Sequence, residues 1–128
     1  KQNNWEGHYI SAERTNATLD PSIPEQYASN DSKYRSWNFK KYASVIDQYP
    51  EEFFDLVLVD GRARPSCVMH ALSRIKKGGW LILDNSERDY YLRNLSIKIK
   101  ERFDVVVDGV APVPFSTSFS RTTIWRKR

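Results

Sequence analysis

A chain of 128 residues holds one modest domain and is too short for two. Its net charge of +4 is too mild to select nucleic acid, an acidic lipid surface or an anionic small molecule, and no apolar run approaches the roughly 20 residues of a membrane span. The single cysteine, Cys67, excludes an internal disulfide and points to a reducing compartment, read here as the cytoplasm.

Lys1–Gly7 is polar and carries no structural signal beyond Trp5. His8–Ala12 (HYISA) predicts a short strand. Residues 13–35 predict a long loop or lid, because Asp20-Pro21, Ile23-Pro24 and Asn30-Asp31-Ser32 are turn and breaker signals. Tyr27 and Tyr34 there lie either over a ligand or against the body of the domain. Ser36–Tyr49 predicts an amphipathic helix. Phe39, Tyr42, Ala43, Ile46 and Tyr49 share its buried face, Ser36 is its N-cap, and Pro50 blocks its continuation.

Phe53–Asn85 is the most informative stretch. Two apolar runs, Phe53–Val59 and Trp80–Leu83, each stop at an aspartate, Asp60 and Asp84. Between them Val68, Leu72 and Ile75 recur at steps of four and three, which places them on one helix face. Pro65 suits the first helical turn, and Gly78-Gly79 supplies the positive-φ freedom of a C-cap and turn. Strand, helix, strand predicts a βαβ unit with parallel strands buried on both faces. Parallel sheets bind ligands beyond the carboxyl ends of their strands, and neighbouring strands lie about 4.8 Å apart. Asp60-Gly61 and Asp84-Asn85 should therefore converge on one spot.

Asn85 or Ser86 is a candidate cap for a helix to Arg102, with Leu92, Leu95, Ile99 and Phe103 as its buried stripe. Asp104–Val110 and Ser120–Trp125 predict two strands, joined through a proline-containing loop as an antiparallel pair at the sheet edge. Arg62, Arg64 and Arg88 lie near the expected cleft. A guanidinium fork suits a carboxylate or phosphate, so Arg62 and Arg88 are candidate substrate-binding residues. The alternative is that they pair with acids such as Glu87 and Asp89, the reading favoured for Arg64. Cys67 reads as a small buried helix residue, and His70 as an exposed one.

The order of these motifs resembles the C-terminal half of a class I S-adenosylmethionine-dependent methyltransferase. The resemblance rests on FDLVLVDG (Phe54–Gly61), the following helix, IKKGGWLILDN (Ile75–Asn85), and a terminal TTIW strand (Thr122–Trp125). It implies an α/β, Rossmann-like sheet, mostly parallel with an antiparallel C-terminal strand. The chain would be a partial domain lacking the glycine-rich N-terminal βαβ half. None of the five glycines here, Gly7, Gly61, Gly78, Gly79 and Gly109, stands in a strand–GxGxG–helix context. The resemblance also implies S-adenosylmethionine as cofactor, with Asp60 and Gly61 on the cofactor side.

Within that family, the catechol-type O-methyltransferases hold a divalent cation such as Mg²⁺ with residues of the types found at Asp60, Asp84 and Asn85. Their lysine base three residues beyond the first aspartate is replaced here by Ala63, and a guanidinium cannot substitute as a base. The expected function is methyl transfer to a small-molecule acceptor, most simply a hydroxyl, with Asp60 and Asp84 as the catalytic acids. Asn85, Arg62 and Arg88 would contact the substrate. The alternatives are a non-catalytic, methyltransferase-like binding module and a Rossmann domain for polyanions. Only the last predicts steeply salt-dependent binding.

Overall fold

Four long runs rich in β-branched and aromatic residues form the main sheet of the computed structural model. It describes residues 4–128, so the first three residues of the polar Lys1–Gly7 stretch lie outside it. A short bridge, β1 (Glu13–Arg14) with β2 (Trp37–Asn38), stands apart. The main sheet contains β3 (Phe54–Val59), β4 (Ile75–Asp84), β5 (Phe103–Pro112) and β6 (Phe119–Lys127), in the order β3-β4-β6-β5.

β3 and β4 are parallel, and β6 is antiparallel to both β4 and β5. Three strands thus point one way, and the reversed last strand lies between two of them. The protein is α/β with a mixed, open sheet whose pairings are mostly antiparallel, which corrects the expectation of a mostly parallel one. A reversed strand placed inside the sheet contributes two antiparallel ladders, whereas at the rim it would contribute one. The β5–β6 pair does form one end of the sheet, with β5 outermost.

The helix of the βαβ unit is α2 (Arg64–Arg74). Val68, Leu72 and Ile75 are buried, as their spacing predicts, and Pro65 sits in the first turn. The helix stops at Arg74, earlier than expected. Gly78-Gly79 instead belongs to an irregularity in β4, where pairing passes from Phe54↔Ile75 to Leu56↔Trp80. Gly78 has φ of 77°, and a Cβ at Gly79 would come within 2.9 Å of Asp55 O and Lys76 O.

Other elements are shorter than expected. His8–Ala12 forms no strand. Helix α1 (Lys40–Ser44) begins after the β2 bridge, with Asn38 Oδ1 accepting the Lys40 N–H, and a 3₁₀ turn (Val45–Gln48) continues it. The helix predicted from Ser86 is reduced to α3 (Ser96–Arg102) and a 3₁₀ turn at Asp89–Tyr91. The Ser86 hydroxyl bonds Thr123 Oγ1 at 2.7 Å, so its side chain holds the sheet rather than capping a helix.

One core binds these parts. Val59, Leu81, Leu83 and Trp125 from one sheet face pack with Val68, Ala71 and Leu72 of α2 and with Leu95, Ile99 and Phe103. The opposite face, traced by the register Leu58↔Ile82↔Ile124↔Val107 with Leu56↔Trp80 beside it, has no such cover. Leu56 and Leu58 are 50% and 57% exposed, so the expectation of strands buried on both faces fails for β3. All the helical elements that contribute to the core stand on the other side. The irregular 13–35 segment is stitched to the body where Ser66 Oγ donates to Pro24 O at 2.7 Å and Asn94 Nδ2 to Ser22 O at 2.7 Å.

Candidate functional site

β3 and β4 run side by side, so their last residues reach the same end of the sheet. Asp60 and Gly61 follow β3 directly, and Asp84 and Asn85 close β4. Both connections then turn through the left-handed region, at Ala63 (φ 47°) and Asn85 (φ 51°). Such conformations are disfavoured for side-chain-bearing residues and persist where surrounding contacts fix them. A Cβ at Gly61 would meet the Tyr42 hydroxyl, so a larger residue there would oblige the Tyr42 side chain to shift.

Arg64 supplies those contacts. Its side chain is nearly buried, and the fork divides between the two strand ends. Nη2 donates to Asp60 Oδ1 at 2.9 Å, Nη1 donates to Asn85 Oδ1 at 2.9 Å and to the Asp84 carbonyl, and Nε donates to Gly61 O at 3.0 Å. Asp84 Oδ2 lies 3.9 Å from Nη1, while its Oδ1 accepts from Thr122 Oγ1 at 3.0 Å. The two aspartates and the asparagine do converge, but on a guanidinium. The acids that pair with Arg64 are Asp60 and Asp84, not Glu87 or Asp89. Glu87 instead accepts the Arg121 N–H.

This arrangement does not fit a divalent cation. The residues that would hold it, Asp60, Asp84 and Asn85, all direct an oxygen to the Arg64 fork, which carries the positive charge the ion would supply. Among the described residues, no group of three or more His, Cys, Asp or Glu side chains is placed to hold a metal.

Beside the clamp opens a cleft of about 410 Å³, lined by Asp31, Arg62, Arg64, Arg88, Tyr90 and Tyr91 among others. Arg62 pairs with Asp31 at 3.1 Å and lies over the Tyr34 ring at 4.8 Å. Arg88 donates to Tyr91 Oη at 2.9 Å. The Tyr91 ring lies near two guanidinium groups, 5.4 Å from Arg64 and 5.7 Å from Arg88. Burial raises the Tyr90 phenol above its ordinary value, with the hydrogen bond and charge of Tyr91 acting in the same direction. Burial also raises the Tyr42 phenol.

Sequence reading singled out Asp60, Gly61, Asp84, Asn85, Arg62 and Arg88, and all six stand at this end of the sheet. Asp31, Tyr42, Tyr90 and Tyr91 were not among them. The run Arg88-Asp89-Tyr90-Tyr91 directly after a strand end was the available signal for the last two. Tyr27 contributes to neither cleft nor clamp: its hydroxyl lies 3.3 Å from His70 Nε2, whose Nδ1 meets Asp47 at 2.7 Å. His70 is therefore largely enclosed, which corrects the exposed position expected for it. Burial pushes the Cys67 thiol up to about 12, so it is protonated at neutral pH and no nucleophile.

The sequence matches no family model and no curated protein in comparisons with known proteins.

Proposed function

We propose that this chain is part of a Rossmann-like, S-adenosylmethionine-dependent methyltransferase acting on a small-molecule acceptor, at a hydroxyl oxygen. The observation that carries this reading is the end of the sheet. Parallel β3 and β4 deliver Asp60 and Asp84 to one point, and the reversed β6 is inserted between β4 and β5, in line with the antiparallel final pair of the resemblance. The cofactor would supply the activated methyl group. The chain's own part is positional. Asp60 and Gly61 border the cofactor side, Asp60 orients or deprotonates the acceptor, and the arginine-lined cleft receives the rest of it. The outer edge of β3 is where the glycine-rich half of such a domain would add its strands, and the bare apolar face is where its helices would pack. Among the described residues no helix is long and apolar enough to cross a membrane. The cytoplasmic reading rests on the lone, unpaired Cys67.

A second reading, a non-catalytic module of the same fold, is favoured by one observation. Arg64 engages Asp60 and is within 3.9 Å of Asp84, so neither acid stands free. Calorimetric titration of the native gene product with S-adenosylhomocysteine separates the two. Binding, together with lost turnover in Asp60→Asn, is the result expected of the enzyme. No binding favours the module, and unchanged turnover in Asp60→Asn removes the role given to that carboxylate.

A further inference from the structure

Three guanidinium groups reach the cleft, and their charges are not equally matched. Arg64 faces Asp60 and Asp84, and Arg62 faces Asp31. Arg88 faces the neutral hydroxyls of Tyr91 and Tyr90, and among the described residues no carboxylate oxygen lies within 4.0 Å of it. A guanidinium carries five N–H donors, more than these two phenols can occupy. Arg88 is therefore the one of the three whose charge no carboxylate meets directly, and it is presented toward a cavity large enough for a small molecule. A second feature points the same way. The N-terminus of α2, an eleven-residue helix, opens at this cleft through Ala63, Arg64 and Pro65, and a helix start favours negative charge.

Resting on the reading of this cleft as the acceptor's place, we propose that its ligand carries one acidic group, a carboxylate or a phosphate, seated on Arg88. Asp31 competes with that group for Arg62. The Asp31–Arg62 pair joins the irregular 13–35 segment to the turn after β3, so a ligand that draws Arg62 away also loosens that segment. A charge-assisted bond of this kind is worth about tenfold or more in affinity.

The test uses the full chain and three probes of one shape: benzoate, phenyl phosphate and neutral benzamide, titrated by NMR. The expected result is that at least one anion binds about tenfold tighter than benzamide. Whichever anion binds tighter identifies the acid. Arg88→Gln, a change at an exposed side chain, should erase the preference, and Asp31→Asn should strengthen anion binding by freeing Arg62. Equal affinity for all three probes overturns the proposal, as does a preference that survives Arg88→Gln. Titrating S-adenosylhomocysteine into the native gene product keeps the two ideas apart. Cofactor binding without anion preference sinks only this inference. Anion preference without cofactor binding sinks only methyl transfer.

Discussion

The two faces of the four-stranded sheet are built from the same kind of residue and meet different surroundings. On one face Val59, Leu81, Leu83 and Trp125 lie under α2 and α3. On the other, Leu56 and Leu58 are half exposed, and Trp80, Ile82 and Ile124 continue the apolar band only partly buried. β3 shows the contrast within one strand. Leu56, Val57, Leu58 and Val59 are all apolar, the composition of a strand enclosed on both sides, whereas a half-solvated strand alternates. The folded chain encloses only one set. The side chains of β3 are thus matched to two covered faces, and a contiguous apolar patch of this kind marks a surface that meets another.

The sharpest way to break this comparison is one truncation on each face. Leu81 is fully buried at the centre of the covered face, so Leu81→Ala removes packed methyl groups and leaves a cavity. The expected cost is about 3 kcal/mol, read from urea unfolding. Leu58 is the neighbour of buried Val59 but points to the opposite face, and Leu58→Ala should cost no more than about 0.5 kcal/mol. Equal losses would mean that both faces are covered in solution, and the contrast would disappear.

How much of this was legible in the sequence depends on the range of the signal. The α2 face could be read because Val68, Leu72 and Ile75 lie within eight residues, and the helical repeat is local. The acids that end β3 and β4 could be read because they terminate apolar runs. What lies between them could not. Arg64 reaches Asn85 Oδ1 across 21 positions, a contact that no local pattern announces, whereas its partner Asp60 lies only four positions away and was within reach of a local reading. Ser86 carried a true capping signal, but its hydroxyl is taken by Thr123, 37 positions away. The bare face was hidden for the same reason: composition shows what a strand side suits, and only the fold shows whether anything is there.

A smaller effect is expected where both faces end, at the clamp. Arg64→Met keeps the length of the side chain and removes its hydrogen bonds to Asp60, Asn85, Gly61 and the Asp84 carbonyl. Asp60 is half exposed and water can replace much of what it loses, so the expected destabilisation is about 2 kcal/mol. It should be salt-sensitive in the parent and less so in the variant. A loss as large as that of Leu81→Ala would make the strand-end clamp, rather than the covered face, the main determinant of how β3 and β4 are joined.

Cys67 gives the finest measure of how dry the covered side is at its rim. It lies on α2, with Sγ 3.5 Å from the Arg62 carbonyl, and burial raises its thiol to about 12 against the opposing pull of the Arg64 charge. The folded thiol holds its proton where the unfolded one, near 9.0, has released it. The unfolded state thus binds fewer protons between those values, and stability contributed by this group is present below pH 9 and declines as pH rises toward 12. At pH 8 the folded thiolate fraction is about a thousandfold below that of the unfolded chain, and iodoacetamide should modify Cys67 slower by a comparable factor. Replacing Arg64 by Met removes the one charge that favours the thiolate, so reactivity should fall further while the clamp is lost. Faster alkylation in that variant would show instead that the clamp closes the rim of the covered face, and that water enters α2 from the ligand cleft when it opens.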